Sequence, residues 1–192
     1  MSEGRNEMKQ PMDPMRIISK YYQPESLAYE LLVEHSRHVV KKALEVAERV
    51  SHLSPDVEFI GEAAMLHDIG IFMTDAPEIG CFGDEEYICH GYLGRELLER
   101  EGLPRHGLVC ERHIGVGVTA EDIEKHALPL PGRDMMPVSI EERIICYADK
   151  FFSKRIESLA VEKTLEKIRA EVGGHGPQNL RRFEELHALF SR

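Results

Sequence analysis

The sequence predicts an all-α fold, a bundle of at least five helices around a polar centre. Three observations carry this expectation. Apolar residues recur at helical spacing along most of the chain. Ser, Thr or Asp precedes several of these stretches, and Gly or Pro closes them. No run alternates cleanly between apolar and polar residues, and β-branched residues do not cluster between turns, so strand signals are absent.

Residues 1–12 read as a loose tail, and residues 13–192 as a single domain with its core over about 28–155 and C-terminal helices over 156–192. The longest helix is expected from Pro24 to Leu53, with Leu32, Val39, Val40, Ala43, Val46, Ala47 and Val50 as its apolar stripe. Ser54-Pro55 then supplies a cap and a first-turn proline. The helix that follows, Asp56 to Ile69, is apolar on most sides and therefore buried, with Gly70 as its closing glycine. Pro77, Gly80 and Gly83 mark a loop over 71–83. Asp84 caps a helix ending at Gly102, Pro104 opens one reaching His113, and Thr119 caps a short one ending near Ala127. Two prolines and a glycine make 128–132 a loop. Ser139 and Glu142 form an S-x-x-E capping box for a helix carrying Ile144, Ile145, Ala148 and Phe152, which runs, continuous or broken, toward Arg169. Gly173-Gly174 ends it, and a last helix presents Leu180, Phe183, Leu186 and Phe190.

The chain has 192 residues, enough for one well-buried core. Its formal net charge of −10 argues against a broad nucleic-acid surface, which needs clustered Lys and Arg, but leaves room for a local phosphate pocket. The N-terminal run Met1-Ser2-Glu3-Gly4-Arg5-Asn6-Glu7 is polar, and no stretch has the apolar length of a membrane span. A cytoplasmic setting is expected, with Cys81, Cys89, Cys110 and Cys146 as reduced thiols packed like small hydrophobes.

Chemistry concentrates where histidines and carboxylates fall on buried faces. His67-Asp68 ends the apolar helix, where an ionised Asp is costly unless it is paired or bound to a cation. The pair offers an imidazole and a carboxylate to one ion, or to each other as a buried hydrogen-bonded pair. His35 lies one turn before Val39 at the edge of the apolar stripe, whereas His38 continues into Lys42, Glu45 and Arg49 on the solvent face. Periodicity thus favours His35 as the inward ligand and leaves His38 at the surface or behind a ligand. Asp149 sits between Ile145 and Phe152 on a buried face and needs a partner, which a metal would supply. Lys150 and Lys154 lie on neighbouring positions, either on a solvated face or in reach of a phosphate. His52, His106, His126, His175 and His187 show no partner pattern and are read as surface or capping residues.

The strings Glu34-His35-Ser36-Arg37-His38-Val39, Leu66-His67-Asp68-Ile69-Gly70 and Tyr147-Ala148-Asp149-Lys150, in that order, resemble the H…HD…D signature of the HD superfamily of metal-dependent phosphohydrolases. The second string resembles its H-D-I-G variant, and the likeness covers about residues 28–155. His90 and His113, between the HD pair and the last Asp, resemble the second-metal histidines of the binuclear branches. The resemblance implies an all-α HD bundle and two divalent ions. One is held by His35, His67, Asp68 and Asp149, the other by Asp68, His90 and His113, with Asp68 bridging. The donor set lacks thiolate and suits Fe, Mn, Co, Ni or Zn alike. Ile71 after Gly70, and a His113 that stands alone, depart from the cyclic-dinucleotide phosphodiesterases of the HD-GYP type. The branch that hydrolyses bis-nucleoside tetraphosphates is more similar, since two histidines precede an Ala-Asp there too.

The function expected is hydrolysis of a phosphate ester or anhydride of a nucleotide by a metal-activated hydroxide. Asp68 and Lys150 are its catalytic candidates, and Lys150, Lys154 and Arg133 would hold the substrate. A small phosphorylated substrate is the expected partner, with no nucleic-acid polymer or membrane; a homo-oligomer stays open. Two other readings stay open: a mononuclear 5′-nucleotidase using only His35, His67, Asp68 and Asp149, and a nucleotide-binding module without turnover.

Overall fold

The computed structural model describes residues 12–191, so the tail expected over 1–12 lies outside the described residues save for Met12. Nine α-helices form among those residues, with one two-stranded ribbon. Helix α1 (Pro14–Tyr21) has Asp13 as its cap, Pro14 in its first turn, and Ile17 and Ile18 buried. Just past it, the Tyr22 hydroxyl donates to the Ile69 carbonyl at 2.7 Å, tying α1 to the segment after the His-Asp pair.

Helix α2 (Leu27–Arg49) is the long helix expected, but it starts later than Pro24. Glu25 adopts a left-handed φ of 71°, which breaks the helix, and Ser26 caps the new start by accepting from the Tyr29 N–H at 3.2 Å. Helix α3 (Val57–Leu66) is likewise capped by Asp56 rather than Ser54, whose own φ of 51° is left-handed. It ends at Leu66, so His67 and Asp68 stand in a tight turn and not on the helix. Contrary to the expectation of no strands, β1 (Asp75–Ala76) pairs antiparallel with β2 (Cys81–Phe82). Two residues per strand are too few to show alternation.

Helix α4 (His90–Arg100) does not start at Asp84. The ribbon takes the Glu85 backbone, whose carbonyl accepts from the Asp75 N–H at 2.8 Å, so the chain stays extended to Glu86. Helices α5 (Pro104–Arg112) and α6 (Ala120–His126) fall where expected, and Thr119 with Asp122 forms a full capping box. Helix α7 (Ile140–Asp149) is capped by Ser139, but Glu142 does not return the bond. Its carboxylate accepts from Val138 N–H at 2.7 Å and from Arg112 at 3.0 Å. Of the two alternatives toward Arg169, the broken one holds: α7 stops at Asp149, and a separate α8 (Leu165–Gly174) carries Arg169 and ends at Gly173-Gly174. Phe151 and Phe152 prolong the apolar pattern because both are buried just past the helix end. Helix α9 (Pro177–Phe190) closes the chain.

Two large apolar cores result, with a smaller third around Cys89, Ile114, Ile123 and Met135. One joins the second half of α2 with α3, α7, α8 and α9, through residues such as Val46, Ile60, Ile145 and Phe183. The other joins α1, the first half of α2, the 69–82 segment and α4, through Ile18, Leu32, Ile69 and Leu98. His35 lies in α2 between Leu32 of one core and Val39 of the other, and His67 directly follows Leu66. The polar cluster therefore occupies the seam between the two large cores, where each of its members is buried.

Gly70 is not a left-handed helix cap; it lies in the 3₁₀ turn Ile69–Met73. It is glycine because backbones meet there: an added Cβ would lie 2.2 Å from the His90 carbonyl oxygen and 2.6 Å from the Gly94 nitrogen. This approach sets the start of α4 beside Asp68. Gly70→Ala is expected to cost about 3 kcal/mol, a drop in Tm of roughly 6–12 °C. Thermal unfolding of the metal-free variant checks this, and an unchanged Tm would contradict the close approach.

Candidate metal centre

Six side chains converge at the seam, and all are buried: His35, His67, Asp68, His90, His113 and Asp149. They fall into two groups whose donor atoms lie within 4.8 Å of one another, His35–His67–Asp68–Asp149 and Asp68–His90–His113. Asp68 belongs to both, and its two oxygens divide the work. Oδ2 faces His35 Nε2 at 3.2 Å and His67 Nε2 at 3.0 Å. Oδ1 faces His90 Nε2 at 3.2 Å and His113 Nε2 at 3.3 Å. Asp149 Oδ1 completes the first group, 3.0 Å from His35 Nε2 and 3.5 Å from His67 Nε2.

Local structure fixes three of the rings in one way. His67, His90 and His113 each donate Nδ1–H to the carbonyl three residues back: Ala64 at 2.7 Å, Tyr87 at 2.5 Å and Cys110 at 2.7 Å. A carbonyl can only accept, so Nδ1 carries the hydrogen and Nε2 is turned into the cluster. Metal-binding histidines are oriented by this same outer bond. The relation arises because His67 and His113 sit at the caps of α3 and α5 and His90 follows the 3₁₀ turn Tyr87–Cys89, each over a free end carbonyl. His35 comes from mid-helix, and its Nδ1 has no such partner.

The donor set fits a pair of divalent cations. His67 Nε2 and both oxygens of Asp68 are buried without a well-formed hydrogen bond, which is costly for a folded protein unless something else satisfies them. Two ammonium groups crowd the same carboxylates: Lys154 Nζ is 2.7 Å from Asp68 Oδ2, and Lys150 Nζ is 2.8 Å from Asp149 Oδ2. Cationic charge is thus already drawn to each carboxylate of the first group.

The titration behaviour follows. Burial opposes ionisation of Asp68, but His67 and Lys154, with the close approach of His113 and His35, outweigh it and hold its carboxyl well below the usual range. Asp149 is depressed in the same way against burial, by Lys150, His35, His67 and Lys154. Burial lowers His113 to about 4, against the hydrogen bond of Asp68, so its ring is neutral and its lone pair free at neutral pH. Burial works against a charge on His67 too, yet Asp68 and Asp149 raise it to about 9. Below that pH an incoming cation must displace this proton. Cation binding is therefore expected to release a proton and to tighten as pH rises toward 9, by up to about tenfold per pH unit. Calorimetry in buffers of different ionisation heat reads the release; binding that neither releases a proton nor varies with pH contradicts it.

The remaining candidates divide. Lys150 and Lys154 reach the cluster. Arg133 does not: its guanidinium is committed to buried Glu111 at 3.0 Å, which Arg95 also holds at 2.6 Å. Arg133 therefore sits in a carboxylate clamp around Glu111, away from the cluster. His38 stays outside the cluster, half-buried, with Nε2 3.3 Å from Glu34 and its ring stacked on Phe152 at 5.3 Å. His38→Ala is accordingly expected to change metal content by less than one equivalent in ten and kcat/KM by less than about threefold. A loss as deep as that of His35→Ala would show that His38 is the ligand. His106 is not a surface residue, since it is buried, pairs with Glu62 at 3.2 Å and sits edge-on to Phe59. His187 also has a partner, the Tyr147 hydroxyl at 2.9 Å.

Sequence reasoning passed over Tyr87, whose ring lies 4.7 Å from that of His90 and 5.9 Å from Lys154 Nζ. Its position three residues before His90 was the available signal. Lys163 and His175, which line a cavity beside Asp149, had none, because only tertiary folding brings them there.

Comparison with known proteins agrees with this geometry. An uncharacterized protein of Methanocaldococcus jannaschii is 33% identical over 157 residues, 79% of this chain and 83% of that protein. Two proteins named tRNA (cytidine(56)-2'-O)-methyltransferase are also similar. That of Thermoplasma volcanium is 29% identical over 159 residues, 81% of this chain but 42% of the relative. That of Picrophilus torridus is 32% identical over 127 residues, 66% of this chain but 33% of the relative. The chain thus spans less than half the length of these two. No solved structure is significantly similar to it. The model of the HD domain matches residues 32–153, from within α2 to just past Asp149, and the chain belongs to the HD domain family.

Proposed function

We propose that the protein is a metal-dependent phosphohydrolase with a two-cation site, cleaving a phosphate ester or anhydride, most simply of a nucleotide. The observation that carries this reading is Asp68, whose two oxygens face separate ligand groups. A bridging carboxylate between two imidazole-rich sites is the arrangement that phosphoester hydrolysis uses. Bound divalent ions there supply Lewis acidity and acidify water near neutral pH.

The protein's own groups do the rest. His35, His67 and Asp149 on one side, and His90 and His113 on the other, fix the cations relative to Asp68. When Asp68 and Asp149 turn to cations, Lys154 and Lys150 lose their present partners and become free to bind phosphoryl oxygens. Two fixed ammonium groups would then offset charge on a phosphoryl group in transfer. The deep burial of the cluster keeps bulk water from competing with these interactions.

The convergence of His90 and His113 on Asp68 favours two cations over the mononuclear nucleotidase. The methyltransferase name belongs to relatives of which the chain matches less than half, and the reading of this chain rests on the cluster it contains. The test is metal analysis of protein purified without chelator, followed by hydrolysis assays on nucleoside mono-, di- and triphosphates and dinucleoside polyphosphates. Turnover that chelation removes and metal restores is the expected result. Full metal occupancy with no phosphoester cleaved would instead favour the binding module.

A further inference from the structure

A cavity of about 210 Å³ opens beside the cluster, between the end of α7 and helix α8. Pockets that take a whole drug-sized ligand span roughly 300–1,000 Å³, so this one suits a fragment of a substrate. Asp149 and Lys150 form the wall toward the cluster; Lys154, Lys163 and His175 line the remainder. Three lysines and a histidine thus face a small space bordered by two carboxylates, Asp149 and Glu171.

The carboxylates hold the lysines without exhausting them. Lys163 Nζ is 2.8 Å from Glu171, whose side chain is 46% exposed, and an ammonium group has two further hydrogens to give. A pair whose carboxylate is this exposed is weak and yields readily to a doubly charged oxyanion. Lys150 and Lys154 are tied to Asp149 and Asp68, the carboxylates that cations would take over. The cavity therefore gains free positive charge as the cluster takes up cations. Lys154, Lys163 and His175 all lie beyond the HD domain match, which ends at residue 153, so this wall is supplied by the chain's C-terminal segment.

We propose that this cavity is a second phosphate subsite, in which Lys154, Lys163 and His175 hold a phosphate linked to the one at the cluster. The substrate class is then a compound with at least two adjacent phosphates, such as a nucleoside di- or triphosphate or a dinucleoside polyphosphate, in preference to a monophosphate. This rests on the phosphohydrolase reading for the chemistry, but not for the binding.

Binding separates the two. Calorimetric titration of the Mn²⁺-loaded protein with imidodiphosphate, which resists hydrolysis, and with orthophosphate gives the ratio of affinities. Imidodiphosphate also chelates metal, so the variants decide. In Lys163→Met and in His175→Gln, imidodiphosphate is expected to weaken by about tenfold while orthophosphate changes less than about twofold. Both residues lie at the protein surface or near it, and circular dichroism verifies that the variants fold. An unchanged ratio in both variants, or an equal loss for both anions, overturns the subsite. Failure to hydrolyse any phosphoester would overturn the enzymatic reading while leaving this affinity ratio measurable.

Discussion

Asp68→Ala is expected to empty both cation sites at once and to lower phosphoester turnover by about 1,000-fold or more, equivalent to ~4 kcal/mol of transition-state stabilisation. The reason is topological: one side chain faces His35 and His67 with one oxygen and His90 and His113 with the other. Its removal also strands charge, because Lys154 loses its 2.7 Å partner and His67 loses the group that chiefly favours its protonation. Breaking a buried pair in this way costs stability, typically ~3–5 kcal/mol, so the alanine variant has a second route to failure. Asp68→Asn separates the two effects. It keeps the shape and one acceptor but removes the charge, and is expected to fold while still losing both metals. Metal analysis after dialysis, beside circular dichroism, reads the outcome. Full metal content in a folded Asp68→Asn protein would defeat the bridging role.

The double variant His90→Ala/His113→Ala is expected to behave differently, losing one cation and keeping the other. Its ligands to the first group are untouched, since His35, His67 and Asp149 come from α2, the α3 turn and α7. Both rings are buried, so circular dichroism and Tm are read beside the metal content to show that the variant folds. Turnover is expected to fall by about 100-fold or more, from loss of one of two charges that steady the transferring phosphoryl group. One retained equivalent of metal with wild-type turnover would favour the mononuclear nucleotidase.

Much of this site was legible in the sequence because burial and period are linked. His35 could be told from His38 by its place on the stripe that runs into Val39, and the structure puts His38 against Glu34 and Phe152. Asp149 stood out as a carboxylate between Ile145 and Phe152, both buried. The end of α7 was not legible, because Phe151 and Phe152 remain apolar and buried after the helix has stopped. Gly70 drew attention as a helix terminator, whereas its cause is contact with the backbone of α4, twenty and more residues away in sequence. The pairing of Arg133 was not legible for a similar reason: no local pattern reveals that Glu111 is buried and holds both Arg133 and Arg95. Lys163 and His175 reach the cavity only through the return of α8.

Asp68 is proposed to join two cation sites into one centre. Electron paramagnetic resonance of the Mn²⁺-saturated protein tests it most directly. Ions sharing a carboxylate in a two-metal site stand roughly 3.5–4 Å apart, close enough for magnetic exchange. The broad spectrum of a spin-coupled pair is expected at two equivalents of Mn²⁺, replaced by no bound signal in Asp68→Asn. A six-line spectrum of isolated Mn²⁺ at saturation, unchanged in His90→Ala/His113→Ala, would contradict it.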